Sequence, residues 1–204
     1  MEKPVKLDVK ADHELYRPPA DRFVEVDVPE MPFLMYHGQG SPEGEGFQAA
    51  IGALYSMSYG VKFASKSRLG RDYVVPPLEA LWWTDDPQDF ARTSPEQWRW
   101  TAMIRLPDWI DEAFVEQCRA EAVAKSPLAA EVRFERWTEG RSVQILHLGS
   151  YADEAPTIAR LHQEYLPQHG LVENGHHHEI YLGDPRHSAP ERLRTVLRQP
   201  VRPA

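Results

Sequence analysis

Two carboxylates in this sequence sit among rings and aliphatic side chains instead of among other charges: Glu179 in HHHEIYLGDP and Glu79 in PPLEALWW. A carboxylate in an apolar hollow has its charged form disfavoured, so its pKa climbs toward neutrality. Such a group can attract a cationic ligand whose flat body stacks on Trp or Tyr. It can equally take a proton from water as a general base. Side chains alternate along a strand, so His177, Glu179 and Tyr181 share one face, while His176, His178, Ile180 and Leu182 share the other. The same rule groups Glu79, Leu81 and Trp83 against Leu78, Ala80 and Trp82. On QWRWTAMIRLP it aligns Trp98, Trp100, Ala102, Ile104 and Leu106 in one stripe.

Other chemistries fit less well. His176 and His178 point the same way, and His147 or His162 could approach them, but no ligand spacing typical of zinc accompanies the run, so no metal is expected. Ser56, Ser58 and Ser150 lack the Gly-x-Ser-x-Gly context of a nucleophile elbow. The glycines of GSPEGEG alternate with glutamates, which would repel a phosphate, and no cofactor is implied. The lone Cys118 cannot form an internal disulfide and reads as a packing residue.

The 204 residues suit one domain of generous size or two small ones, and can bury a real core. A net charge of -8 argues against direct nucleic-acid binding. The absence of a long apolar run or an apolar leader points to a cytoplasmic protein with no membrane partner.

The elements that must position the two carboxylates follow from periodicity. DRFVEVDVPEMPFLMYHGQG is β-rich and is broken by its prolines into an entering strand and a second run ending at the glycines. GEGFQAAIGALYSMSYGVKFASK has a wide helical apolar face. YVVPPLEALWWT and QWRWTAMIRLP are strands separated by a turn at TDDPQDF. PDWIDEAFVEQCRAEAVAKSP is a linking helix, with Asp108 or Asp111 as its cap and Pro127 past its end. EVRFERW and RSVQILHLGSY are two further strands. ADEAPTIARLHQEYLPQHG is a helix that begins at an acidic cap and stops at Gly170. HHHEIYLGD and RLRTVLRQPV are the last strands. The order strand, helix, strand, strand thus occurs twice, over about 21–107 and 131–201, with the linking helix at about 108–126. This predicts a single α+β domain over 1–204, a duplicated module whose antiparallel sheets join, with helices on one face and a ligand cleft.

The strings FQAAIGALYSMSYGVKF, PPLEALWW, WRWTAMIRLPDW, GSYADEAPTIARL, HHHEIYLGDPR and LRTVLRQPV together resemble the stand-alone GyrI-like small-molecule-binding proteins across nearly the whole chain. The resemblance implies a buried glutamate meeting hydrophobic, planar or cationic compounds, a role carried over to Glu179 and Glu79 only. It also implies, for part of the group, hydrolysis of the strained cyclopropane of DNA-alkylating natural products, a self-protection chemistry. Ala80 and Gly183 depart from the usual pattern without touching a carboxylate or a ring.

The reading that results has Glu179 as general base and Tyr181 or Tyr151 as donor to a developing oxyanion. Glu79 is a second acid or anchor, Trp83 and Trp100 are stacking walls, and Tyr55 and Trp137 complete the aromatic set. The alternatives are a non-catalytic multidrug binder or sensor, and a gyrase-inhibitor-like interaction module. The partner is a small molecule, and the protein is a monomer or homodimer.

Overall fold

A computed structural model describes residues 6–85, 93–185 and 187–204, as two compact units that the chain visits alternately. The first unit comprises residues up to Val9 and Met31–Trp137, and the second Lys10–Glu30 and Thr138–Ala204. Most of the turn expected at TDDPQDF, residues 86–90, lies outside the described residues.

Two expected breaks do not occur. Strand β1 runs unbroken over Val24–Gln39, through Pro29 and Pro32. A proline lacks a ladder donor but keeps its carbonyl, and Pro32 uses that carbonyl to accept from the Leu106 N–H at 2.8 Å. EVRFERW and RSVQILHLGSY likewise fuse into one strand, β4, Arg133–Leu148. Gly140, at φ 73°, supplies the left-handed backbone there that side-chain-bearing residues avoid.

In the first unit, β2 (Leu78–Trp83) and the second half of β1 flank β3 (Arg99–Arg105), both antiparallel to it. The register puts Ala80 opposite Ala102 and Trp82 opposite Trp100, so one face collects Leu34, Ala80, Trp82, Trp100 and Ile104. Helix α2 (Glu45–Ala64) covers that face, with the Phe47 ring 5.0 Å from both Trp82 and Trp100. Gly38 is needed here because a Cβ at this position would come 2.3 Å from the Trp100 ring. Helix α3 (Glu112–Lys125) packs on α2; the Asp111 side chain caps it by accepting from the Phe114 N–H at 2.9 Å, and Pro127 follows its end. Cys118 on α3 is buried, which pushes its thiol pKa up, in keeping with a packing role.

The second unit is built on β7 (Arg194–Pro203). It pairs antiparallel with β4, with β6 (His177–Tyr181) and with a short strand, β5 (Leu171–Glu173), that the periodicity did not announce. One face carries Val143, Leu171 and Val201, on which Leu161 and Leu166 pack from the helical stretch that begins with Ala155–Arg160. That stretch widens into a π turn at Leu161–Tyr165 and stops at Gly170, φ 63°. The opposite face buries Arg198, which donates to Glu139 Oε2 (3.0 Å), to Gln144 Oε1 (3.0 Å) and to the Leu15 carbonyl (2.6 Å). Gln144 in turn donates to the Glu14 carbonyl at 2.6 Å. Two carbonyls of the short helix α1 (His13–Tyr16), which the helix itself cannot satisfy, are thereby paired. Among the described residues, no helix is long and apolar enough to cross a membrane.

Candidate functional site

The alternation expected on β6 is observed. His178 and Ile180 are buried on one side, and His177, Glu179 and Tyr181 are half-buried on the other. His178 faces the Arg198 side, where its Nδ1 lies 2.9 Å from Glu139 Oε1. Burial by itself would raise the pKa of Glu139, but the charges and hydrogen bonds of His178 and Arg198 outweigh it and hold the carboxyl at about 2. The inward histidine therefore pins the strand, while the outward residues are left for chemistry.

On the outward face, Tyr181 Oη donates to Glu179 Oε2 at 2.7 Å, and His177 Nε2 lies 3.4 Å from Glu179 Oε1. Opposite them, β7 presents Thr195 across from Tyr181 and Leu197 across from Glu179, so the residue facing the carboxylate is apolar. The turn after β4 supplies the next ring. Gly149, at φ 134°, reverses the chain, and the His147 ring holds the Ser150 carbonyl at 3.0 Å. Tyr151 is thereby set edge-on to Tyr181, with 5.5 Å between ring centroids. Burial, then the negative charges of Glu154, Glu179 and Asp184, push the Tyr151 hydroxyl up to about 12. It stays a proton donor throughout the physiological range.

A further participant, Glu154, was not anticipated. The sequence ADEAP suggests an acidic helix cap, yet the Glu154 side chain makes no capping bond. Its backbone carbonyl does that work, accepting from Thr157 and Ile158, and Pro156 removes one of the N–H groups that a cap would serve. Glu154 is instead 3 % exposed, its carboxyl buried beside the Thr195 hydroxyl. Burial, and then the charge of Glu179, raise Glu154 to about 9 against the opposing hydrogen bond of Thr195. Glu154 thus holds its proton more firmly than an ordinary carboxyl does, with a second carboxyl group, that of Glu179, acting on it. The signal in the sequence was present but ambiguous, because the same acidic residue before a helix serves as a cap far more often than as a buried acid.

A consequence for stability follows. The folded state keeps the Glu154 proton while the unfolded chain gives it up above pH 4.5, so folding takes up a proton between pH 4.5 and about 9 and stability falls as pH rises across that window. Glu154→Gln removes this penalty. It should stabilise the protein by roughly 2 to 3 kcal/mol at pH 7, with the gain shrinking toward zero near pH 5. Urea melts of both forms at several pH values check this, and a gain that does not change with pH would contradict it.

The remaining expected site residues belong to the first unit. Glu79 is 1 % exposed, on β2 opposite Met103, and shares its face with Leu81 and Trp83. Trp100 lies on the other face with Trp82, packed against Phe47, so Trp83 and Trp100 do not form two walls of one hollow. Trp137 meets Phe33 edge-on at 6.0 Å, and Tyr55 stacks along α2 toward Tyr59 at 6.2 Å. The histidines considered as ligands are placed separately: His176 is exposed, His178 meets Glu139, His147 meets the Ser150 carbonyl and His162 meets Glu173. Among the described residues, no group of three metal-ligating side chains converges.

The fold recurs in proteins of known structure. An uncharacterized conserved protein of Listeria innocua shares 37% identity and superposes with a TM-score of 0.87, covering 97% of this chain and 100% of its own. A hydrolase of the same organism shares 36% identity with a TM-score of 0.85 over the same shares of the two chains. The C-terminal domain of EcmrR has the same fold at 10% identity, with a TM-score of 0.60 over 90% of this chain and 98% of its own. No curated protein matches the chain. The model of the GyrI-like small molecule binding domain matches residues 23–202, and the chain belongs to that family.

Proposed function

We propose that this protein binds a hydrophobic, planar or cationic small molecule at the outward face of β6 and hydrolyses it, with a strained cyclopropane conjugated to a carbonyl as the bond opened. The observation that supports this most is the pairing of Glu179, held by Tyr181 at 2.7 Å, with a second, buried carboxyl that keeps its proton. A site built only to attract a cation gains nothing from holding one of its two carboxyls neutral. The 36% identical hydrolases of Listeria innocua favour the same reading.

In the proposed reaction, Glu179 takes a proton from water as the water oxygen bonds to the ring carbon. The cyclopropane C–C bond breaks, and its electron pair moves through the conjugated system to the carbonyl oxygen. Tyr181 has its proton committed to Glu179, so hydrogen bonding to the developing oxyanion falls to Tyr151 and to the acid form of Glu154. Glu79, Trp83, Trp100, Tyr55 and Trp137, all in the first unit, remain a separate proposal as ligand contacts. So does the duplication, which the recurrence of strand, helix, strand, strand supports and which a superposition of 21–107 on 131–201 with mismatched strand directions would dismiss.

The test is incubation of the purified protein with a cyclopropane-bearing alkylator, followed by mass spectrometry. A product heavier by one water is expected. Saturable quenching of Trp fluorescence with the compound recovered unchanged would point to the second reading, a non-catalytic drug-binding or sensing protein.

A further inference from the structure

His177 is the one outward residue of β6 with no part in the chemistry above, and its surroundings are unusual. The side chain is 10 % exposed, and neither ring nitrogen has a hydrogen-bond partner. A buried donor or acceptor left unmade is costly, so packing alone gives no reason for an imidazole here. Its Nε2 is 3.4 Å from Glu179 Oε1, a gap that a small approach or one bridging water closes. On the other side, Glu173 of β5 stands across from Val201 of β7, on the same face as Glu179 across from Leu197, and His162 Nδ1 contacts it at 2.8 Å. Glu179 is 15 % exposed, while Glu173 and His162 are 47 % and 25 % exposed. Glu179, His177 and Glu173 thus follow one another along one face, and the row reaches the surface at Glu173.

The proton inventory of the site gives this row a purpose. After one turnover Glu179 holds the proton taken from water. Tyr181 and Tyr151 already carry theirs, and Glu154 stays protonated up to about pH 9. Among these neighbours, the group able to accept is His177. We propose that His177 is a relay residue that passes the proton from Glu179 by way of Glu173, which His162 holds, to solvent. The inference rests on the hydrolytic reading of the same face. The product leaves as its oxyanion and is protonated in solution, so the water proton released through the relay balances the reaction.

The test has two arms. With a cyclopropane probe, His177→Gln should lower kcat about tenfold or more with KM unchanged, and added imidazole should restore turnover in His177→Gly. Wild-type kcat in His177→Gln, or absence of imidazole rescue in a His177→Gly protein with a wild-type melting temperature, overturns the relay. The second arm needs no substrate: 15N spectra of the His177 ring in the wild type, Glu179→Gln and Glu173→Gln. Ring-nitrogen shifts that move in both variants support a row coupled at both ends, and shifts indifferent to either variant overturn it. If the wild type turns over no probe, the hydrolytic reading has failed, and the spectra still decide whether the row exists.

Discussion

Glu179→Gln is expected to lower kcat for a cyclopropane probe by a hundredfold to ten-thousandfold, equivalent to roughly 3 to 5 kcal/mol in the barrier. Glutamine has the shape of glutamate and still accepts from Tyr181 Oη, so the strand and the neighbouring rings keep their places. What it cannot do is take a proton from water. The expected pattern is therefore a loss in kcat with KM for a neutral ligand changed only a few-fold, the signature of an interaction made in the transition state. A cationic ligand would also bind more weakly, because a charge facing it has gone. Glu154→Gln should fall between this variant and the wild type, since an amide still donates a hydrogen bond where the acid donated one. Turnover in Glu179→Gln within threefold of wild type would remove the base from the mechanism and with it the proposed reaction.

The parts of this site that could be read from the chain are those governed by strand periodicity. HHHEIYL announces which residues share a face because the period is two, and the structure keeps that division, with His178 inward and Glu179 outward. The cap of α3 at Asp111 and the stop at Gly170 were legible for the same reason, as local rules with local causes. Register was not legible. Trp83 and Trp100 looked like a pair, but each strand's alternation leaves open which of its two faces meets which face of the neighbour. Pairing Trp82 with Trp100 puts the intended partners on opposite sides. Glu154 was hidden by its own position, because an acidic residue before a helix has a local explanation that needs no tertiary partner. The prolines of β1 suggested a break because a proline's missing N–H is visible in sequence, whereas its usable carbonyl is not.

Glu139 was also hidden, and it carries the largest expected effect on stability. Nothing in the strand pattern marks Glu139, Gln144 or Arg198 for burial, yet with His178 all four are buried and bonded together. Glu139→Gln should destabilise the protein by about 3 to 5 kcal/mol at neutral pH, because the Arg198 charge would remain buried opposite a neutral amide. The contribution of Glu139 is fully present above pH 4.5 and is lost as pH falls toward about 2, so wild type and variant should converge under acid conditions. Urea midpoints at neutral and acidic pH, with an unchanged slope, measure this. A loss below 1 kcal/mol would mean that the buried pair contributes little. The same cluster bears on the site, since His178 and Glu179 are adjacent on β6 and point to opposite faces. Holding the inward residue to Glu139 fixes the pleat that aims the outward carboxylate, so Glu139→Gln should also loosen the contact between Tyr181 and Glu179. In this fold a buried ion cluster on one face of a strand thereby sets the geometry of the reacting groups on the other.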